Sequence, residues 1–276
     1  MDTGQGMRRP LIRAVVAALL AFLPMLAQAA QASRESTLLL PLLRPGEGLA
    51  IAIGEEVRSY GDSRTEGPLG DLAKLVWMRM EGADWAAMGV EFRCKEPTAS
   101  GHGKAHGRLS LGRALQADCE PAFLAWTADA RLRWQRDYGD AVARLRLEEV
   151  FRPFLGRRLP AGETLPVFTA SWLGAGDLLR SSPEAFLHWL LEPQQAEVVV
   201  FGKRFLAGRW VEVKELLGQD SWWFKTATAS VLGDPAATNA WVAGGRGSVL
   251  LVFRMPRGNG RPDAEARLRA ILGLKP

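Results

Sequence analysis

The chain has 276 residues, 47% of them hydrophobic and 24% charged, which is enough apolar material for a sizeable core and excludes a disordered chain. Its formal charge of +5 is scattered along the sequence without a basic block, so no nucleic-acid partner is expected.

The first segment reads as an export signal. Arg8, Arg9 and Arg13 precede the apolar run Ala14 to Leu23, and Pro24 leads into the small-residue stretch AQAAQA. Cleavage after Ala29 or Ala32 is expected, giving a signal peptide over 1–29 and a single domain over 30–276. A retained membrane anchor is the alternative, although the apolar run falls short of the ~20 residues that span a bilayer. Removing 1–29 takes away three arginines and Asp2 and lowers the formal charge from +5 to +3. No later segment is long and apolar enough to cross a membrane, so a periplasmic protein without an integral span is expected. In such an oxidising compartment Cys94 and Cys119 are predicted to form a disulfide, the alternative being two buried reduced thiols.

From Leu38 onward, apolar runs broken by RPGEG suggest a hairpin. Next, GPLGDLAKLVWMRMEGADW places Leu72, Leu75, Val76 and Met80 at helical spacing, with Gly70 and Asp71 as its start. The loop PTASGHGKAHG leads into two helical stretches, LSLGRALQADCEPAFLAW and DAVARLRLEEVFRPFL. SSPEAFLHWLLEP reads as a helix because Pro183 suits a first helical position. The last third changes character: AEVVVFGKRF, WWFKTATASVL, NAWVAGG and SVLLVFRMP are β-prone, and PDAEARLRAILGLKP is an amphipathic helix with Leu268, Ile271 and Leu272 on one face. Strands at both ends around central helices predict an α+β fold, with one sheet built from both ends and covered by helices.

Three stretches in fixed order resemble the motifs of the penicillin-recognising serine enzymes, the penicillin-binding transpeptidases and class D β-lactamases. PLGDLAK stands where serine-x-x-lysine is expected, with Asp71 at the serine and Lys74 at the lysine. In LSLGRALQADCEPAFL the second motif falls on Asp118, Cys119 and Glu120. FKTATAS carries Lys225 and Thr226 of lysine-threonine-glycine, with Ala227 for the glycine. SWLGAGDLLRSSPEAF and NAWVAGG are similar to the segments that flank the third motif in transpeptidases. The resemblance covers most of residues 60 to 255 and implies a β-lactamase/transpeptidase-like fold, a central antiparallel sheet flanked by helices plus a helical subdomain. PLG-x-L-x-K-L followed by a cysteine-bounded segment also looks like a family of secreted bacterial proteins encoded beside α2-macroglobulins.

The substitutions bear on chemistry. In the family, the lysine takes the serine proton and the hydroxyl attacks an amide or β-lactam carbonyl. A carboxylate attacking an amide gives a mixed anhydride less stable than the amide, so Asp71 is not expected to be acylated. Asp71 suits instead a helix-start carboxylate or an i, i+3 partner of Lys74. Asp118 and Glu120, when ionised, offer acceptors only. Lys74, Lys225 and Thr226 remain candidates for binding a ligand carboxylate, against the opposing charge of three nearby acids.

These residues imply a catalytically inactive binding or scaffolding protein at the envelope. Its expected partners are an α2-macroglobulin-like protein, a peptidoglycan synthase or a peptidoglycan peptide. The alternative is an active DD-peptidase, transpeptidase or β-lactam hydrolase with altered residues. Neither a metal nor a cofactor is expected. The two lysines oppose a cation among the carboxylates, and His102 and His106, four apart, have no evident third ligand and sit among glycines. His188 reads as a packed helix residue. Most tryptophans are expected in the core, with groove lining the alternative for Trp222, Trp223 and Trp241.

Overall fold

A five-stranded antiparallel sheet in the order β2-β1-β9-β8-β7 is assembled from the two ends of the chain. The strands are β1 (Gly48–Ile53), β2 (Glu56–Gly61), β7 (Trp223–Val231), β8 (Asp234–Arg246) and β9 (Val249–Pro256). The computed structural model describes residues 42–95, 105–155, 171–174, 176–192, 223–231 and 234–272. The export signal, the expected strand AEVVVFGKRF, His102 and Trp222 lie outside the described residues. Pro45–Pro276 forms one compact unit, distinct from Met1–Arg44. No helix among the described residues is long and apolar enough to cross a membrane.

The N-terminal hairpin is present, but its reversal falls at Gly54–Glu55, between the paired Ile53 and Glu56, and not at RPGEG. Gly54 has φ +63°, the conformation that the first loop position of a two-residue type II′ hairpin requires. RPGEG instead leads into β1, which pairs along its whole length with β9, from Gly48 opposite Arg254 to Ile53 opposite Val249. This long-range pairing brings the two chain ends together.

Alternation along these strands buries both faces of the sheet. Ala50, Ala52, Leu250 and Val252 belong to the main core, and the intervening Leu49, Leu251 and Phe253 are buried as well. The turn Gly260–Glu265 packs on β7, β8 and β9 and leads into the C-terminal helix α6 (Ala266–Ile271), which buries Leu268 and Ile271. The helix α5 (Pro183–Leu191) lies against β1 and β9. Ser182 caps it, its hydroxyl accepting from the Ala185 N–H at 3.2 Å, with Pro183 behind it where a missing N–H costs nothing.

The central helices form a subdomain. They are α1 (Ala73–Ala87), α2 (Leu111–Ala117), α3 (Glu120–Tyr138) and α4 (Asp140–Phe151). A two-stranded ribbon of β4 (Glu91–Cys94) and β5 (Gly107–Ser110) precedes α2. The short strands β3 (Gly67–Pro68) and β6 (Arg180–Ser181) form a second pair.

Leu72, Leu75 and Val76 are buried, as their spacing predicts, and so are Trp77, Met78, Glu81 and Trp85. The helix α1 is therefore enclosed on more than one side. Trp77 stacks between Trp85 and Trp134, at 6.4 and 5.9 Å between centroids, and Trp85 continues to Trp126. Trp223 and Trp241 have no exposed surface, so both are core residues, and the Trp241 indole N–H donates to the Pro68 carbonyl at 2.8 Å.

Candidate functional site

Four charged side chains from three separate segments converge beside β7. Asp71 lies in a 3₁₀ turn, Gly70–Leu72, that runs directly into α1, and Lys74 lies in the first turn of that helix. Asp71 is the acidic residue of that turn. Its carboxylate turns to Lys74, with Oδ1 2.6 Å from Nζ, the i, i+3 pairing expected of this spacing.

Asp118 sits just past α2 at φ 53°, ψ 41°, the left-handed conformation. Around it the Cys119 N–H donates to Ala114 O at 3.0 Å and the Asp118 N–H to Leu115 O at 3.4 Å. This is the Schellman arrangement, with an aspartate at the position usually held by glycine. Asp and Asn tolerate that region better than other side chains. The turn aims the carboxylate at both lysines: Oδ1 accepts from Lys74 Nζ at 2.7 Å and from Lys225 Nζ at 2.9 Å. Lys225 also donates to the Thr226 carbonyl at 2.6 Å.

On β7, Lys225, Ala227 and Ala229 share one face by the two-residue period, and all three are buried. Thr226 is buried too and alternates to the other face with Thr228, whose hydroxyl accepts from the Gly260 N–H at 2.8 Å. Glu120 opens α3 and pairs with neither lysine, so the cluster holds two acids and two bases where the sequence suggests three acids.

Close glycine contacts fix the Asp71 turn. A Cβ on Gly70, at φ +56°, would meet the Thr228 carbonyl at 2.7 Å, and one on Gly174, at φ +94°, would fall 1.9 Å from the Gly70 carbonyl oxygen. Gly174, the Asp71 turn and β7 are therefore stacked at backbone contact distance. The adjacent Trp172 carbonyl accepts from the Trp77 indole at 2.9 Å, tying this stack to α1.

The lysines are almost wholly buried, while the Asp71 and Asp118 side chains are 32% and 20% exposed. Burial acts on all four groups, and their partners decide the outcome. For Asp118, burial favours the neutral acid, but Lys225 and Lys74 overcome it and hold the carboxyl far below its ordinary range. For Lys74, burial opposes the charge, and Asp118 and Asp71 outweigh it, so the ammonium holds its proton more tightly than usual. Burial wins at Lys225, whose pKa is lowered, and at Asp71, where burial and the Asp118 charge raise it. Lys74 also lies 5.6 Å from the Phe123 ring centroid, a further stabilisation of its charged form.

The expected Cys94–Cys119 disulfide is not formed. Both cysteines are buried thiols, and their sulfurs lie within 4.8 Å of each other and of a ring nitrogen of His106. Burial pushes the Cys119 thiol up to about 11, so it is a poor nucleophile despite its place next to Asp118. In the sequence His106 pairs with His102 by helical spacing, with no third ligand evident. The partners are the two cysteines, which the β4–β5 pairing, Cys94 opposite Gly107, and the turn after α2 bring to His106.

The whole-chain comparison decides the fold. The C-terminal domain of the Bacillus licheniformis BlaR penicillin-receptor matches with a TM-score of 0.55 at 10% identity, covering 87% of this chain and 96% of that one. The class D β-lactamase FUS-1 of Fusobacterium nucleatum subsp. polymorphum matches with a TM-score of 0.52 at 13% identity, covering 82% and 91%. The chain has the penicillin-binding protein and β-lactamase-like fold. No protein-family model and no curated protein matches the sequence.

The four clustered side chains are two carboxylates and two ammonium groups, with no hydroxyl nucleophile among them. Lys74, charged and bound by two carboxylates, has no lone pair to take a proton. The cluster can fix the turns that carry it, or exchange Asp118 for another anion.

Proposed function

We propose that this chain is an exported, non-acylating protein of the penicillin-recognition fold that binds or scaffolds at the bacterial envelope. Its proposed partner is an α2-macroglobulin-like protein or a peptidoglycan synthase, with a peptidoglycan peptide as its small ligand. The observation that carries the reading is the closed two-acid, two-lysine cluster in place of a serine beside a proton-accepting lysine. Export rests on the basic, apolar and small-residue order of 1–29.

A ligand carboxylate reaching Lys74 and Lys225 competes with Asp118, whose Oδ1 both ammonium groups already contact, and Thr226 lies on the other face of β7. The exposed parts of the cluster are its carboxylates, so a ligand presenting an amine or amide N–H meets complementary groups first. That favours a peptide amine over the carboxylate of a β-lactam.

Incubation of the mature protein with a fluorescent penicillin, followed by intact mass measurement, tests the non-acylating part. No adduct is expected, and a stoichiometric acyl adduct overturns it. Crosslinking in cells tests the scaffolding part, which fails if no envelope protein is recovered.

A further inference from the structure

Cys94, His106 and Cys119 lie outside the ion cluster, and the geometry points to a second site there: a Cys₂His centre for a thiophilic d¹⁰ cation of the zinc class. One ligand atom from each residue lies within 4.8 Å of the other two, so the three already converge on a volume close to that of one ion's coordination shell, whose bonds are roughly 2.0–2.3 Å. Cys94 is 3% exposed and Cys119 has no exposed surface. His106 Nδ1 is buried and has no hydrogen-bond partner among the described residues, a costly state for a polar atom that a metal would relieve.

Charge also fits the burial. Two thiolates and a neutral imidazole around a divalent ion sum to zero, and none of the three donors is the hard oxygen that calcium or magnesium prefers. Three protein ligands leave a fourth position for water. The ligands come from the end of β4, the approach to β5 and the residue after Asp118. A bound ion would therefore pin the left-handed turn that holds Asp118 against Lys74 and Lys225. The site is positioning in this respect.

The test uses the full mature chain, purified, stripped with a chelator under reductant and titrated with zinc against a chromophoric chelator. One equivalent of zinc is expected, with a rise in Tm on addition, and cobalt should give thiolate-to-metal charge-transfer absorption. Cys119→Ser and His106→Ala should each weaken zinc at least about 100-fold, more than the loss of a supporting residue behind a ligand. If Cys119→Ser fails to fold, the partly exposed His106 still carries the comparison. Protein isolated without reductant should resist alkylation until a chelator is added. Sub-stoichiometric zinc, affinity unchanged in His106→Ala, or a mass showing a closed Cys94–Cys119 disulfide overturns the proposal. None of these outcomes bears on β-lactam acylation.

Discussion

Asp118 is the residue on which both buried lysines depend, and its left-handed backbone makes asparagine the informative replacement. Asn tolerates the same conformation and removes only the charge. Asp118→Asn keeps an amide oxygen as acceptor but removes the anion between two buried ammonium groups, so a loss of about 3–5 kcal/mol is expected in urea unfolding. The pH dependence has a definite sign. The carboxyl of Asp118 is depressed in the folded chain, so its contribution is present above the unfolded value near 3.8 and is lost as pH falls below it. Asp71, whose pKa is raised, acts in the opposite direction. Urea midpoints measured from pH 5 downward should fall in the parent and fall less steeply in Asp118→Asn. Chemistry can be tested at the same two positions. Asp71→Ser alone should remain unlabelled by penicillin, because Asp118 still keeps Lys74 protonated. Any acyl adduct should appear only when Asp118→Ser is added, and an adduct on the single variant would show that Lys74 accepts a proton despite its partner. Motif order was enough to place Asp71, Lys74, Asp118 and Lys225 together, and their side chains meet in one ion cluster. It did not show that Glu120 stands apart, since that depends on the turn geometry after α2.

Among the elements, α1 owes its position to a buried carboxylate as well as to tryptophans. Glu81 is 1% exposed and accepts from Arg133 Nη2 at 2.9 Å and from the Trp134 indole at 3.0 Å, which joins α1 to α3. Arg146 of α4 reaches the same carboxylate at 3.7 Å and covers the Trp134 ring at 4.7 Å. Glu81→Ala removes the anion from between two arginines and leaves an indole N–H unpaired, and about 3–5 kcal/mol should be lost in urea unfolding. A loss below about 1 kcal/mol would show that the arginines escape to solvent. The helical spacing of Leu72, Leu75 and Val76 made α1 legible, but a carboxylate at position 81 reads as solvated until α3 and α4 are packed around it. The hairpin shows a different limit. Pro45 and Gly46 carry the stronger turn chemistry, yet the reversal belongs to Gly54, because strand register follows the pairing of β1 with β9 and not local propensity alone.

At the scale of the molecule, the sheet joins chain ends more than two hundred residues apart. Apolar runs at both ends made a shared sheet legible in the sequence, whereas the neighbour of β1 was not, since pairing across such a distance leaves no local trace. Glu47 reinforces this closure immediately before β1: its carboxylate takes a two-pronged contact from Arg267 of α6, at 2.8 and 3.0 Å, while the carboxylate itself is 2% exposed. Two parallel charge-assisted bonds of this kind orient as well as attract. The pair thus ties the C-terminal helix to the entry of the first strand. Glu47→Gln keeps the shape and weakens both bonds, so a loss of about 1.5–3 kcal/mol is expected. If α6 and the sheet unfold as one unit, the urea midpoint should fall with the slope unchanged. A lowered slope, or early loss of protection in α6 by hydrogen exchange while β1 and β9 stay protected, would show instead that the helix detaches before the sheet opens.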